Sequence, residues 1–254
     1  MKLLIGDTGL VGQTIKKFET FDVEFNSKNL YTFEYLAKDG DELFLTCLPA
    51  TKWLVNQNLT KDINNIYSII DTINKFHYSK ITLISTIDVY NDSPLSVNEN
   101  YSPNISKLSY GNNRYLFELM VREMVKCDDL KIFRLPALFN SLIKKNVLYD
   151  LIHNNNVDQI NQNSYYQWYN LDNLYNDIKI YSEKYPDETV FNLFTEPIYT
   201  ADIVELFPHY VDKVKDGSKV TYNYRTKFRF SNYISSKNEV LNEIKQFINE
   251  FSVK

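Results

Sequence analysis

The sequence predicts an α/β protein built on a doubly wound parallel sheet, with a small C-terminal lobe. Three observations carry this expectation. Short apolar runs alternate with amphipathic stretches along the first half of the chain. Those runs are almost continuously apolar, as strands covered on both faces must be, and do not alternate like strands of a half-exposed sheet. A turn with glycines at spacing three stands directly between the first run and the first amphipathic stretch.

The elements follow in order. Lys2-Leu3-Leu4-Ile5 reads as a strand, then the glycine turn, then a helix with Val11, Ile15 and Phe18 on one face. Residues 21–26 and 42–48 read as strands, the second ended by Pro49. Across 59–76, Ile63, Ile66, Ile69, Ile70 and Ile73 recur at the three-to-four spacing of an amphipathic helix. Residues 81–86 are a buried strand, 110–126 a helix, and 131–135 a strand closed by Pro136. Ser236 and Glu239 make a capping-box pattern ahead of a helix whose Val240, Leu241, Ile244, Phe247, Ile248 and Phe251 share a face. Alternation becomes irregular after Phe139. The expected division is a first domain over 1–140 and a lobe over 141–254, with a strand near 189–194 returning to the sheet.

Charge and composition narrow the function. Against 28 Lys and Arg stand 32 Asp and Glu, a net charge of −4 without any basic block, which suits neither nucleic acid nor an anionic membrane face. No apolar run approaches the roughly 18–20 residues of a membrane span. Gly6-Asp7 ends the N-terminal apolar run far short of the roughly 7–15 residues of a signal-peptide core, so a cytoplasmic protein beginning near Met1 is expected. Cys47 and Cys127 lie far apart and read as reduced thiols. His77, His153 and His209 have no ligand spacing, and no metal site is expected.

Gly6-Asp7-Thr8-Gly9-Leu10-Val11-Gly12 carries the clearest chemical signal. Glycines allow the tight turn and let backbone N–H groups approach a pyrophosphate, which a helix N-terminus favours electrostatically. A simple tight connection is the plainer alternative. This segment resembles the G-x-x-G-x-x-G signature of the extended short-chain dehydrogenase/reductases, the NAD(P)-dependent epimerase/dehydratase family. The resemblance continues in order along the chain. Ser85-Thr86-Ile87-Asp88-Val89-Tyr90 resembles that family's S-[ST]-x-x-V-Y, and Asn98-Glu99 with Pro103 its acidic stretch ahead of the active-site helix. Tyr110-Gly111-Asn112-Asn113-Arg114 with Glu118 resembles Y-G-x-[ST]-K-x-x-x-E, and Arg134-Leu135-Pro136 the segment beside the nicotinamide. Residues 169–174 and 191–197 resemble the late strand-to-helix passage and the N-[IL]-x-x-x-E-P strand.

The resemblance implies a Rossmann fold and hydride transfer at a hydroxyl or keto carbon of a nucleotide-activated sugar. Thr86 would orient the substrate oxygen, Tyr110 would move the proton, and the cation at Arg114 would lower the phenol pKa. Bringing a phenol from ~10 to near 7 takes about 3 units, or roughly 4 kcal/mol. One charge at ~4 Å in an effective dielectric of ~20 supplies roughly that. Cofactor-binding residues would be Gly6, Thr8, Gly9, Leu10, Val11 and Gly12 of the turn, Asn26, Ser27 and Lys28 after the second strand, Leu48, Pro49 and Ala50 after the third, with Tyr110, Arg114, Leu135 and Pro136. Asp88, Asn146 and Gln167 are the candidate substrate ligands. Lys144-Lys145 suits a diphosphate or a solvated surface, and the aromatic run Tyr165-Tyr166-Gln167-Trp168-Tyr169 suits a stacked base or a lobe core.

Two departures stand out. Arg114 replaces the family's lysine with a planar fork, and Leu48-Pro49-Ala50 replaces a turn of small residues. Ile87 stands where resemblance to dehydratases would place an aspartate, which favours a 4-keto-sugar reductase or an epimerase. A homodimer through the helices near 59–76 and 110–126 is expected by analogy. The alternative is a non-catalytic NADP-binding sensor or scaffold.

An acidic residue after the second strand would bond the adenosine ribose 2′-OH. This chain has Asn26-Ser27-Lys28 there, which suits a 2′-phosphate, although Lys28 also reads as a solvated loop charge. NADP is therefore favoured, with NAD as the alternative. Calorimetric titration is expected to show NADP(H) binding more tightly than NAD(H); equal affinities would remove Lys28 from the site.

Overall fold

A computed structural model of the chain describes residues 1–211, 214 and 219–252. They form two compact units. The first takes Met1–Ser93, Tyr101–Arg134 and Leu174–Phe191; the second takes Pro94–Asn100, Leu135–Asn173 and the chain from Asn192 on.

The first unit is organised by strand β1 (Lys2–Ile5), whose Leu3, Leu4 and Ile5 are fully enclosed. The glycine turn leads into α1 (Leu10–Ile15), then β2 (Val23–Phe25), the short helix α2 (Phe33–Leu36) and β3 (Glu42–Leu45). Helices α3 (Lys52–Gln57) and α4 (Leu59–Ile73) precede β4 (His77–Thr86), and α5 (Tyr110–Met124) precedes β5 (Lys126–Leu135). In the second unit β6 (Ala137–Phe139), α6 (Val147–His153), β7 (Tyr165–Tyr166) and β8 (Trp168–Asn170) follow. Helix α7 (Leu174–Lys184) and β9 (Val190–Asn192) return to the sheet, and β10 (Ile198–Tyr199), α8 (Thr200–Val204) and α9 (Lys237–Ser252) complete the described elements.

The sheet has six strands in the order β2-β1-β3-β4-β5-β9, and β1 pairs in parallel with both β2 and β3, as β3 does with β4. The chain steps outward from β1 to β2 and then back across β1 to β3. This reversal puts a topological switch point between β1 and β3, where open α/β sheets bind ligands outside the carboxyl ends of their strands. Behind the sheet, Ile66, Ile69, Ile70 and Ile73 of α4 pack with Leu43, Ile81 and Ile132 into one buried cluster, joined by Phe117 and Val121 of α5.

Boundaries differ from the sequence expectation where polar residues do structural work. Strands β4 and β5 begin at His77 and Lys126, earlier than their apolar runs, and their polar first residues meet across the strands: His77 Nε2 lies 2.9 Å from Asp128 Oδ1 and Lys80 Nζ 3.7 Å from Asp129 Oδ2. Strand β3 stops at Leu45, since Thr46 turns its hydroxyl toward the carbonyls of Ile5 and Gly6, at 3.2 and 3.1 Å. Helix α1 ends at Ile15, and Phe18, expected on its apolar face, is 49% exposed. The capping box forms as read: Glu239 Oε2 accepts from the Ser236 N–H at 2.7 Å, and Ser236 Oγ accepts from the Glu239 N–H at 3.3 Å.

A buried polar network joins β4, α5 and β5. Arg134 grips Glu118 through Nε (3.0 Å to Oε1) and Nη2 (2.5 Å to Oε2). Its Nη1 donates to the Tyr90 hydroxyl, and Ser85 Oγ donates to Glu118, each at 2.5 Å. Both members of the pair are within 3% of full burial.

The second unit is held by buried polar side chains that serve backbone groups. Gln167 donates through Nε2 to the carbonyls of Thr195 and Tyr224 and accepts the Tyr224 N–H. Glu99 accepts from the N–H groups of Asn192 and Lys227 and from the Thr226 hydroxyl, while burial raises its pKa. Strands β6 and β8 pair in parallel, and Phe139 meets Phe247 of α9. Among the described residues, no helix is long and apolar enough to cross a membrane.

Arg134→Met would leave the Glu118 carboxylate buried and unpaired. A loss of about 3–5 kcal/mol is expected in urea unfolding; a loss under about 1 kcal/mol would be that of a surface pair.

Candidate active site

The carboxyl ends of β1, β3 and β4 gather the expected residues within the first unit. Gly6 has φ +103°, and a side chain there would strike the backbone of Thr46, with a Cβ 2.6 Å from its carbonyl carbon. A Cβ on Gly12 would lie 2.2 Å from the Gly6 carbonyl oxygen. The turn itself therefore demands both glycines. Gly9 is different. It is exposed, like Thr8, and a Cβ there would meet nothing nearer than 3.4 Å. Neither conformation nor packing explains the missing side chain. Asp7 is turned away, its Oδ2 lying 4.0 Å from Lys16 Nζ. Leu10, Val11 and Gly12 open α1.

The loop after β2 is tied by two asparagines. Asn29 Oδ1 accepts the Asn26 N–H at 2.7 Å, and Asn26 Oδ1 accepts the Lys28 N–H at 2.9 Å. Ser27 and Lys28 are exposed. After β3, Leu48 is half-buried while Pro49 and Ala50 are exposed.

Thr86 ends β4, and its Oγ1 accepts the Asp88 N–H at 3.2 Å. Asp88 is paired with Lys52 of α3 at 2.6 Å. Tyr110 begins α5 and is 7% exposed; its N–H donates to Asn56 Oδ1 at 3.0 Å, and Ser109 caps the helix by accepting the Asn112 N–H. Gly111 explains how Tyr110 is brought here. A Cβ on it would lie 1.9 Å from the Asp88 carbonyl oxygen, so only glycine lets the helix start pack directly on that backbone. Tyr110 and Thr86 are thereby both held against Asp88.

Arg114 departs from the role that the resemblance implies. Its guanidinium is 5% exposed and gripped at two points by Asp62, at 2.8 Å to Oδ2 and 3.1 Å to Oδ1. Nη2 also donates to the Pro49 carbonyl at 2.7 Å, and Cζ lies over the Tyr110 ring, 4.5 Å from its centroid. Burial pushes the Tyr110 phenol up to about 12; Arg114 opposes this, and the carboxylates of Asp88 and Asp62 add to it. The direction is opposite to the expected lowering, because the expectation counted the arginine's charge without the burial of the phenol, which outweighs it.

The remaining expected residues are placed as follows. Leu135 ends β5, and both it and Pro136 are buried. Asn146 has structural work: it caps α6 by accepting the Tyr149 N–H and donates to the Leu138 carbonyl. Gln167 is consumed by backbone groups in the second unit, with both amide protons used. These two amides give way as substrate ligands, because the chain itself supplies their partners. Lys144 and Lys145 are exposed. Sequence reasoning missed Asp62, Lys52, Asn56 and the packing role of Gly111. Only Asp62 left a signal: it stands in register with Ile66, Ile69 and Ile73 on the buried stripe of α4.

The two kinds of glycine separate experimentally. Gly12→Ala is expected to destabilise the protein by about 1–3 kcal/mol through overpacking. Gly9→Ala should change stability by under about 0.5 kcal/mol while weakening dinucleotide binding. Urea unfolding and calorimetry on both variants check this.

No family model matches the chain, and no curated protein does. Solved structures do. MoeE5, in complex with UDP-glucose and NAD, superposes with a TM-score of 0.73 over 99% of this chain and 98% of its own, at 12% identity. A variant of UDP-glucuronic acid 4-epimerase from Bacillus cereus, bound to UDP-4-deoxy-4-fluoro-glucuronic acid and NAD, gives 0.71 over 99% of each chain at 12% identity. A dTDP-4-dehydrorhamnose reductase from Clostridium acetobutylicum gives 0.67 over 99% and 100%, at 13% identity. At these identities the likeness is one of fold: the chain has the Rossmann-type α/β fold of nucleotide-sugar epimerases and reductases.

Proposed function

We propose that the protein binds a nicotinamide dinucleotide on the Gly6–Gly12 turn and acts as a reductase or epimerase on a nucleotide-activated sugar. The observation that carries this is Gly9, a glycine that the fold does not need, exposed at the switch point of the sheet. Residues of the turn would face the phosphates, and Ser27 and Lys28 the adenosine ribose. Lys28 favours NADP, while two of the neighbours described above hold NAD. The dinucleotide, when bound, supplies a carrier for hydride; proton handling is left to the chain.

Tyr110 is the proton-handling group in this reading and Thr86 the hydroxyl that orients the reacting oxygen, with Asp88 beside both. A phenol raised to about 12 keeps its proton at neutral pH, which suits donation to a carbonyl oxygen better than removal of a hydroxyl proton. A homodimer through α4 and α5 belongs to the same reading, with Tyr67 and Met124 standing exposed on those helices.

One observation favours a second reading. Arg114 is neutralised by Asp62 and the phenol is far from neutral pH, as a binding module without turnover would tolerate. Turnover separates the two. With a panel of nucleotide 4-keto sugars, Tyr110→Phe and Thr86→Ala are expected to keep cofactor affinity near normal and to lower the rate about 10²–10⁴-fold. Full activity in Tyr110→Phe would overturn the mechanism, and cofactor binding with no turnover in any protein would leave the binding module.

A further inference from the structure

Two donors compete for the Asp88 carboxylate. Lys52 Nζ lies 2.6 Å from Oδ1, the short distance of a charge-assisted bond. Thr86 Oγ1 lies 3.5 Å from Oδ2, well beyond the roughly 2.7–2.8 Å of an ordinary O–H···O bond. The backbone N–H of Asp88 donates to Thr86 Oγ1 at 3.2 Å and so holds that oxygen in place as an acceptor. What remains open is the direction of the Thr86 proton. An uncompensated carboxylate at this distance would draw it in.

Lys52 is placed by its neighbours along the chain. Four residues on, Asn56 Oδ1 accepts the Tyr110 N–H at 3.0 Å; three residues before, the Pro49 carbonyl accepts from Arg114 Nη2 at 2.7 Å. The segment that carries Lys52 is thereby tied to α5 on both sides of it. The ammonium is 40% exposed and the carboxylate 13%. A pair this open adds little to stability, and its effect is confined to the groups it touches.

We propose that Lys52 is a positioning residue for Thr86: by holding the Asp88 carboxylate it leaves the Thr86 hydroxyl proton to the reacting oxygen of the substrate. The inference rests on Thr86 being the hydroxyl that orients that oxygen in the proposed reaction. As a carbonyl is reduced, its carbon takes the hydride carried by the dinucleotide, its oxygen takes the π pair, and the Tyr110 proton completes the new hydroxyl. Thr86 donates a hydrogen bond to that oxygen while its charge grows, the moment at which such a bond counts most. A hydroxyl turned toward Asp88 could not do so.

The test combines initial rates on a panel of nucleotide 4-keto sugars with calorimetry of the cofactor and urea unfolding of the ligand-free proteins. Lys52→Arg keeps the charge on Asp88 and should keep most of kcat. Lys52→Gln keeps a donor without the charge and should lower kcat about 10–10²-fold, the worth of a hydrogen bond to a charged oxygen. Its cofactor affinity and urea midpoint should stay near those of the unaltered protein. In a Thr86→Ala background the same Lys52→Gln change should cost less than about twofold, because the group it acts through is gone. A tie that merely holds α3 would show the reverse, a lowered urea midpoint and the same loss of rate with or without Thr86. That outcome, or Lys52→Gln at the unaltered rate, overturns the proposal and leaves the nucleotide-sugar reading standing. No turnover of any sugar by the unaltered protein would overturn that reading, and this one with it.

Discussion

The first unit depends on how α5 is held. Its residues 110, 114 and 118 recur every fourth position and so line one face of the helix. That face is docked by charge and close backbone contact in place of apolar packing. Gly111 lets the helix start lie on the Asp88 carbonyl, Arg114 reaches α4 through Asp62, and Glu118 reaches β5 through Arg134. Three successive turns are thus keyed to three different elements. A helix held in this way cannot slide or rotate without breaking a buried ion pair, and the position of Tyr110 follows from that restraint.

The two ion pairs are not equivalent. Arg134–Glu118 is completed by Tyr90 and Ser85, so its hydrogen-bonding groups find partners within the network. Taking charges out of water is costly, and such completion is what makes a buried pair tolerable. Arg114–Asp62 is completed partly by the Pro49 carbonyl, which belongs to the loop after β3. The second pair therefore couples the helix to a loop at the ligand-binding edge, whereas the first couples it to the sheet.

Much of the fold was legible in the sequence because its signals are local. The glycine spacing, the continuous apolar runs and the Ser236–Glu239 box each act within a few residues. The starts of β4 and β5 were not legible, since they are polar residues that meet their partners across neighbouring strands and no apolar pattern marks them. In the site, Thr86 and Tyr110 were readable from their places at a strand end and a helix start. The state of Tyr110 was not, because it depends first on burial, which distant parts of the chain supply and no local pattern marks. Asn146 and Gln167 misled for a related reason. A polar side chain in an apolar setting signals an obligation to be satisfied, and in both cases a backbone carbonyl or N–H satisfies it.

The lengths of the strands have a further consequence. The inner strands β4 and β5 have ten residues each, whereas the two edge strands, β2 and β9, have three. Long apolar strands are the usual templates for intermolecular pairing, and a short edge offers too few free backbone groups to seed it. Beyond β2 the chain closes into the Asn26–Asn29 turn instead of adding another strand. The protein thus keeps its longest strands in the middle of the sheet and exposes only short edges to another chain.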